Sequence, residues 1–336
     1  MPTPVQPCRV AIAGASSLRG KEIKQLIEEQ NFPTFDVRLF DEEAVGLLTE
    51  AGGEPTLVQQ IEEESFTGAR FVFFAGAPAF TAQHWPAARR SGATVIDLSG
   101  ELSAVPTAVP WIPVLDPVLP PPVPPVGNLF LSPSAAAIVG CTLAAAFFRF
   151  SLARLALMVF RPASERGQAG VDELESQTVN LLSFQPIAKD VFGAQVAFNF
   201  LASYGEASLE NLGEIRAAVV RDVSRYLAGR VPVPAIQLLQ APVFYSYTFA
   251  ALAEFAATIP EAELEGALAA AGARIAGPEE QAPDNVSVAG GAELVMSPVE
   301  RDSNVATGYW LWGAADNVRL AAANAVRIAS EILRRG

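Results

Sequence analysis

Apolar and polar positions in the first third of the chain fall into short runs of two kinds. Cys8-Arg-Val-Ala-Ile-Ala-Gly14 and Asp36-Val-Arg-Leu-Phe40 are compact apolar runs, whereas Lys21 to Glu29 between them carries its apolar residues at helical spacing. The theme repeats with Phe71-Val-Phe-Phe-Ala-Gly76, a helix near Ala82 to Ser91, and Thr94-Val-Ile-Asp-Leu-Ser99. Strand, crossover and strand in repetition predict a parallel, doubly wound α/β sheet.

Prolines then occupy nine positions from Pro106 to Pro125, including Pro120-Pro121-Pro122. No helix or central strand tolerates that density, so the first unit ends there. The segment is either a plain linker or an extended arm packed on protein, and Trp111 with its interleaved Val, Ile and Leu favours the arm. Beyond it come Asn128-Leu-Phe-Leu-Ser132, an alanine-rich helix, and a strand Leu155-Ala-Leu-Met-Val-Phe160. Glu210 to Leu227 reads as helix, Ile236 to Phe244 and Thr248 to Phe255 as strands, and Glu261 to Ala271 as helix. This middle portion is α+β. The chain closes on an amphipathic helix with Val318, Ala321, Ala322, Ala325, Val326, Ile328 and Ile332 on its apolar side. The expected division is residues 1–130 with 315–336 as one domain and 131–314 as the other.

Composition narrows what such a fold does. The 336 residues are 51% hydrophobic and only 18% charged, which points to apolar surface placed in a subunit interface. Acids outnumber bases 36 to 23, for a net charge of −13, and no basic run exceeds a pair such as Arg89-Arg90. Nucleic acid and an anionic membrane surface, which need Lys/Arg clusters, are therefore excluded as partners. The opening Met-Pro-Thr-Pro-Val-Gln-Pro has neither a basic nor an apolar leader region, and the apolar stretch Ala135 to Phe148 is too short to span a bilayer. A cytoplasmic protein is expected. Cys8 and Cys141, both in apolar contexts, read as buried thiols rather than a disulfide, and a single His without a Cys cluster leaves no zinc site.

Candidate chemistry begins at Gly14-Ala15-Ser16-Ser17-Leu18-Arg19-Gly20, which follows the first strand and opens the first helix. That context suits a dinucleotide loop, in which backbone amides and a helix N-terminus face a pyrophosphate. Ser17 stands where the middle glycine would allow close approach, so a tight strand-to-helix turn is an equal reading. The second strand ends at Asp41-Glu42-Glu43. Such acids either accept from a ribose 2′-hydroxyl, favouring NAD over NADP, or form a solvated strand end.

Four strings in order carry a family resemblance: Gly14-Ala15-Ser16 with Gly20, Val95-Ile96-Asp97-Leu98-Ser99, Ser164-Glu165-Arg166-Gly167-Gln168-Ala169-Gly170-Val171-Asp172-Glu173-Leu174, and Asp316-Asn317-Val318-Arg319-Leu320-Ala321-Ala322-Ala323-Asn324-Ala325. The pattern resembles the aspartate-semialdehyde dehydrogenase family over essentially the whole length, and the last string is its most specific part. The resemblance implies a Rossmann-like parallel-sheet domain, an α+β dimerisation domain, a homodimer and an NADP-dependent enzyme of amino-acid biosynthesis. In the family a Cys attacks the acyl carbon, a His is acid and base, one Arg clamps the substrate carboxylate and another binds phosphate. It also implies cofactor contacts from Gly14, Ser16, Ser17, Leu18, Arg19, Gly20 and Asn317.

Each reactive position departs from the pattern. Ala135 stands for the nucleophilic Cys, and a methyl group forms no thioester. In Gln240-Ala241-Pro242-Val243-Phe244-Tyr245-Ser246-Tyr247, which matches Arg-Val-Pro-Val-x-x-Gly-His, the clamp is Gln240 and the base is Tyr247. The substrate-orienting Gln corresponds to Arg161, the phosphate Arg to Ser103, and an acidic substrate contact to Asp222. Cys141, six positions after Ala135, and His84 offer no evident replacement, and a Ser132 or Ser134 nucleophile would lack a His partner. Glu165 and Arg166 either pair on the surface or fill the vacated pocket with charge. The leading expectation is a homodimer that has lost catalysis, acts by binding, and holds NAD, NADP or no cofactor. Two alternatives remain: a nicotinamide-dependent oxidoreductase of altered chemistry with Tyr247 as proton donor, and an interaction protein that binds an active dehydrogenase or another chain.

Overall fold

The computed structural model describes residues 6–51, 54–121 and 126–335. Part of the proline-rich stretch, 122–125, and the first five residues lie outside them. The chain divides into two units, one comprising Met1–Pro113, Val123–Ser134 and Ala321–Gly336, the other Val114–Pro122 and Ala135–Leu320.

The first unit is built on six parallel strands. In chain order its elements are β1 (Cys8–Ala13), α1 (Leu18–Glu29), β2 (Thr34–Phe40), the small antiparallel pair β3 (Leu48–Ala51) and β4 (Glu54–Leu57), β5 (Phe71–Phe74), α2 (Pro78–Arg90), β6 (Thr94–Asp97), β7 (Val109–Pro110) and β8 (Leu129–Leu131). The sheet runs β2-β1-β5-β6-β8-β7, so strand order reverses between β1 and β5. Crevices for ligands in such sheets lie at the carboxyl ends of the strands flanking that reversal. Alternation along the strands sorts the core into two faces. Val10, Ile12, Phe71 and Phe73 pack with Ile23, Leu26 and Ile27 of α1 and with Ala322, Ala325, Val326 and Ala329 near the chain end. Ala11, Ala13, Val72 and Phe74 pack with Phe80 and Ala88 of α2 on the other. Helix α1 begins three residues earlier than the spacing predicts because the Ser17 side chain caps it, accepting from the Gly20 amide. Helix α2 likewise starts at Pro78 rather than near Ala82, since proline suits a first helical turn.

The second unit contains α3 (Ala135–Ala146), β9 (Leu152–Arg161), α4 (Gly167–Leu182), α5 (Leu212–Leu227), β10 (Ala235–Gln240), β11 (Tyr247–Phe255), α6 (Glu261–Ala270), β12 (Ala273–Ile275), β13 (Leu294–Met296), β14 (Glu300–Arg301) and β15 (Gly308–Ala315), with α7 (Asn317–Arg335) closing the chain. The mixed sheet runs β10-β9-β11-β15-β13-β12, with β14 pairing β15. Every residue of α3 is buried, and a side chain at Gly140 would touch Val223 of α5 and Ile236 of β10. The strand expected over Ile236 to Phe244 ends at Gln240. Pro242 cannot donate to a ladder, and the Gln240 amide has already turned to the Leu201 carbonyl at 2.9 Å. Within this unit the proline segment is held by Arg230, whose guanidinium donates to the Pro120 carbonyl. Val114 packs beside Gly272, where φ is +87° and a Cβ would lie 2.5 Å from its methyl. Among the described residues no helix is long and apolar enough to cross a membrane.

Candidate functional site

In the first unit the predicted cofactor loop joins the ends of three neighbouring strands. Gly14 has φ +83°, and a Cβ there would lie 2.3 Å from the Gly76 amide after β5. A Cβ on Gly20 would meet the Gly14 carbonyl at 2.3 Å. Both glycines are therefore required by close backbone approach. The amides of Gly14 and Ala15 donate to the Phe40 carbonyl at the end of β2, at 2.8 and 3.1 Å. Ser17 Oγ lies 2.8 Å from the Gly14 carbonyl and 2.9 Å from that of Ala75, besides accepting from Gly20. Ser16 turns toward Asp41: its amide and hydroxyl both donate to Oδ2, at 2.9 and 2.6 Å. The other Asp41 oxygen accepts from the amides of Glu42 and Glu43, at 2.8 and 3.1 Å. Burial works against this carboxylate, but the Ser16 hydroxyl and the three amides outweigh it and hold Asp41 below the usual carboxylate range.

The remaining landmarks of this unit are structural. Asp97 is fully buried and caps the following turn, accepting from Ser99 N and Oγ at 2.7 and 2.6 Å and from Leu102 N at 2.8 Å. Burial raises its carboxyl above the ordinary value despite those bonds. Arg19, expected near a cofactor, donates to the Leu98 carbonyl. His84 lies in α2 against Phe80, with ring centroids 4.9 Å apart and Nε2 3.6 Å from Glu42. Asn324 ties the closing helix to Trp111 O and Ser132 Oγ, at 2.9 and 3.0 Å, which accounts for the second Asn of the most specific string. Cys8, expected to be buried, is only partly covered, because it opens β1 at the sheet margin.

In the second unit, Arg161, Gln240, Tyr247 and Asn317 come together at the ends of β9, β10 and β11. Arg161 donates to Tyr204 Oη at 3.0 Å and to Glu165 Oε2 at 3.2 Å, and its side chain is 4% exposed. Tyr204 donates in turn to Gln240 Oε1 at 2.9 Å, while Gln240 Nε2 donates to the carbonyls of Arg161 and Ala241. Glu165 Oε1 accepts from Asn317 Nδ2 at 2.8 Å. Asn317 Oδ1 accepts from Ser246 N and Ser164 Oγ, at 3.0 and 3.2 Å. The Tyr247 hydroxyl bonds to both Glu165 and Arg161. Burial, reinforced by the Glu165 charge, pushes this phenol well above its ordinary value, so it stays protonated. Burial opposes the Arg161 charge, but Tyr204, Tyr247 and Glu165 outweigh it and keep the guanidinium cationic.

Glu165 and Arg166 do not pair with each other at the surface. Glu165 faces Arg161, whereas Arg166 pairs with Glu210. Ser246, where the family string has Gly, is buried at φ +69°, a strained place for a side chain. Ala135 opens α3 and contributes only its methyl. Cys141 is fully buried in the same helix, and burial raises its thiol far from the reactive thiolate form. The Asp172-Glu173-Leu174 string proves to be scaffold: Glu173 accepts from the amides of Val191 and Phe192, and Gln177 one turn on accepts from Val196 and Ala197. Asp316 caps α7 through the amides of Val318 and Arg319. Tyr204 was not foreseen; a lone Tyr in a Gly/Ser loop has no spacing signal. Among the described residues no group of three or more His, Cys, Asp or Glu could hold a metal.

Family models fit this arrangement over most of the chain: "Semialdehyde dehydrogenase, NAD binding domain" matches residues 9–118 and "Semialdehyde dehydrogenase, dimerisation domain" matches 143–320. The chain belongs to the semialdehyde dehydrogenase family. Within that family it is similar to a USG-1 protein homolog from Pseudomonas aeruginosa, 29% identical over 98% of each chain. It is also similar to aspartate-semialdehyde dehydrogenase 2 from Vibrio cholerae, 26% identical over 98% of each. The solved structure of a probable aspartate-semialdehyde dehydrogenase from Pseudomonas aeruginosa superposes with a TM-score of 0.88 at 28% identity, over 98% of this chain and 99% of that one. The fold expected from the strings is thus the family's fold, a Rossmann-like unit and a mixed-sheet unit.

Proposed function

We propose that this semialdehyde dehydrogenase family member has lost the acyl chemistry and works as a homodimeric binding protein. One observation carries the reading. The residues at the family's base, clamp and orienting positions, Tyr247, Gln240 and Arg161, are hydrogen-bonded to one another through Glu165 and Tyr204. Both Gln240 amide hydrogens go to carbonyls of this chain, Arg161 is turned to Tyr204 and Glu165, and Ala135 supplies no nucleophile. The alternative oxidoreductase with Tyr247 as proton donor requires a phenol able to cycle its proton, whereas Tyr247 is 1% exposed and pushed to higher pKa.

Dimerisation rests on the family's second domain and on the uncovered face of its sheet. There Met158, Ala250 and Trp312 form one row across β9, β11 and β15, with Ala156, Leu252 and Trp310 in the next. Met158, Trp310 and Trp312 are exposed, which a solitary sheet face would leave to water. Among nicotinamide cofactors this reading ranks NAD above NADP, since Asp41, Glu42 and Glu43 would repel a 2′-phosphate. Free Cys8 and Cys141 suit the reducing cytoplasm in which we place the protein.

The test is an assay of the purified protein with aspartate semialdehyde, phosphate and NAD or NADP, with its mass measured in the same buffer. No turnover and a dimer mass are expected. Turnover at an ordinary enzymatic rate, about 1 per second or faster, would overturn the reading.

A further inference from the structure

At the strand-order reversal, three ties cross the mouth between the ends of β1, β2 and β5. Phe40 O accepts from Gly14 and Ala15, Ser17 Oγ reaches Ala75 O, and Ser16 donates twice to Asp41. In a dinucleotide fold of this type the acid at the end of the second strand accepts from the ribose hydroxyls, and the loop amides face phosphate. Asp41 occupies the acid's position but not its role. A carboxylate has about four acceptor sites, and those of Asp41 receive Ser16 N, Ser16 Oγ, Glu42 N and Glu43 N. None is left for a ribose.

The loop side is equally occupied. Ser16, which follows the first glycine and its neighbour, directs both its donors at a carboxylate of this chain. Ser17 places a Cβ and a hydroxyl where a phosphate approaches the backbone in the glycine version of the loop. Glu42 and Glu43 add negative charge beside Asp41.

We infer that Asp41 is an internal stand-in for the nucleotide's anionic end, holding the Ser16 amide and hydroxyl so that neither NAD nor NADP enters this crevice while that contact lasts. The carboxylate that closes the loop is also the charge that opposes phosphate, so NADP is excluded more strongly than NAD. This goes beyond the loss of catalysis: a chain that bound NADP without turning over substrate would refute the Asp41 assignment and leave the proposed function standing.

The experiment is calorimetric titration of the full-length protein with NAD and with NADP at neutral pH, repeated on Asp41→Ser and on the isosteric Asp41→Asn. The wild type is expected to show no binding tighter than about 1 mM. Asp41→Ser is expected to gain at least about tenfold in affinity for NADP and less for NAD, because it removes both the plug and the charge. Asp41→Asn keeps the shape and folds if the serine variant does not; it is expected to gain in the same order with a smaller factor. Hydrogen exchange at the Ser16 amide should rise in either variant. Wild-type binding of either dinucleotide below about 100 μM, or a folded variant whose affinity is unchanged, would overturn the inference.

Discussion

Two polar regions of this chain, the loop of the first unit and the cluster of the second, are filled in different ways. At the loop of the first unit, one carboxylate satisfies backbone amides and a serine hydroxyl, groups that water could also satisfy. At the polar cluster of the second unit, Arg161, Glu165, Tyr204, Gln240, Tyr247 and Asn317 satisfy one another with little access to water. The first arrangement is reversible by one substitution, because amides released there turn to solvent or ligand. The second is cooperative. Removal of one member strands a buried charge or dipole, and no single change restores a site.

The largest test of that contrast is Glu165→Ala. It leaves the Arg161 guanidinium buried without its carboxylate, and a loss of about 3–5 kcal/mol is expected from urea unfolding. A loss below about 1 kcal/mol would mean the cluster is as forgiving as the loop, and the contrast would fail. Next is Gly20→Ala, where the new methyl meets the Gly14 carbonyl. A cost of about 1–3 kcal/mol is expected, which separates the rigid backbone of the loop from its replaceable carboxylate.

The smallest effect is that of Asp41→Asn, about 1 kcal/mol at neutral pH. Its pH dependence sharpens the comparison. Asp41 has a folded pKa lowered from the ordinary value, so its ionised form stabilises the protein above the unfolded pKa of about 4. That contribution is lost as pH falls through the lowered folded value, so the gap between wild type and variant should vanish at strongly acid pH. A gap that persists there would show that shape rather than charge holds the loop.

Much of this was legible in the residues. Alternating apolar runs announced the parallel sheet, and the four strings announced the family, since each encodes backbone geometry: Gly14 and Gly20 a close approach, Asp316 a helix cap, Glu173 a clamp on the loop at Val191. Ala135 was legible too, because whatever the fold around it, it offers only a methyl. The reach of side chains was not. Asp41 read as a ribose acceptor or a solvated acid, yet it turns back to Ser16, 25 positions earlier. Glu165 and Arg166 read as neighbours in charge, yet as successive residues of the tight helical turn Ala163–Arg166 they point to different partners. Tyr204 carried no pattern at all.

Local residues were enough to say which elements form, because periodicity and caps are properties of neighbours along the chain. The partners of the buried polar groups came from the three-dimensional fold. Hydrogen bonds between Ser16 and Asp41, or among Arg161, Tyr204 and Gln240, depend on strand ends distant in the chain meeting at angstrom precision. A buried polar group must find a partner wherever the fold places one.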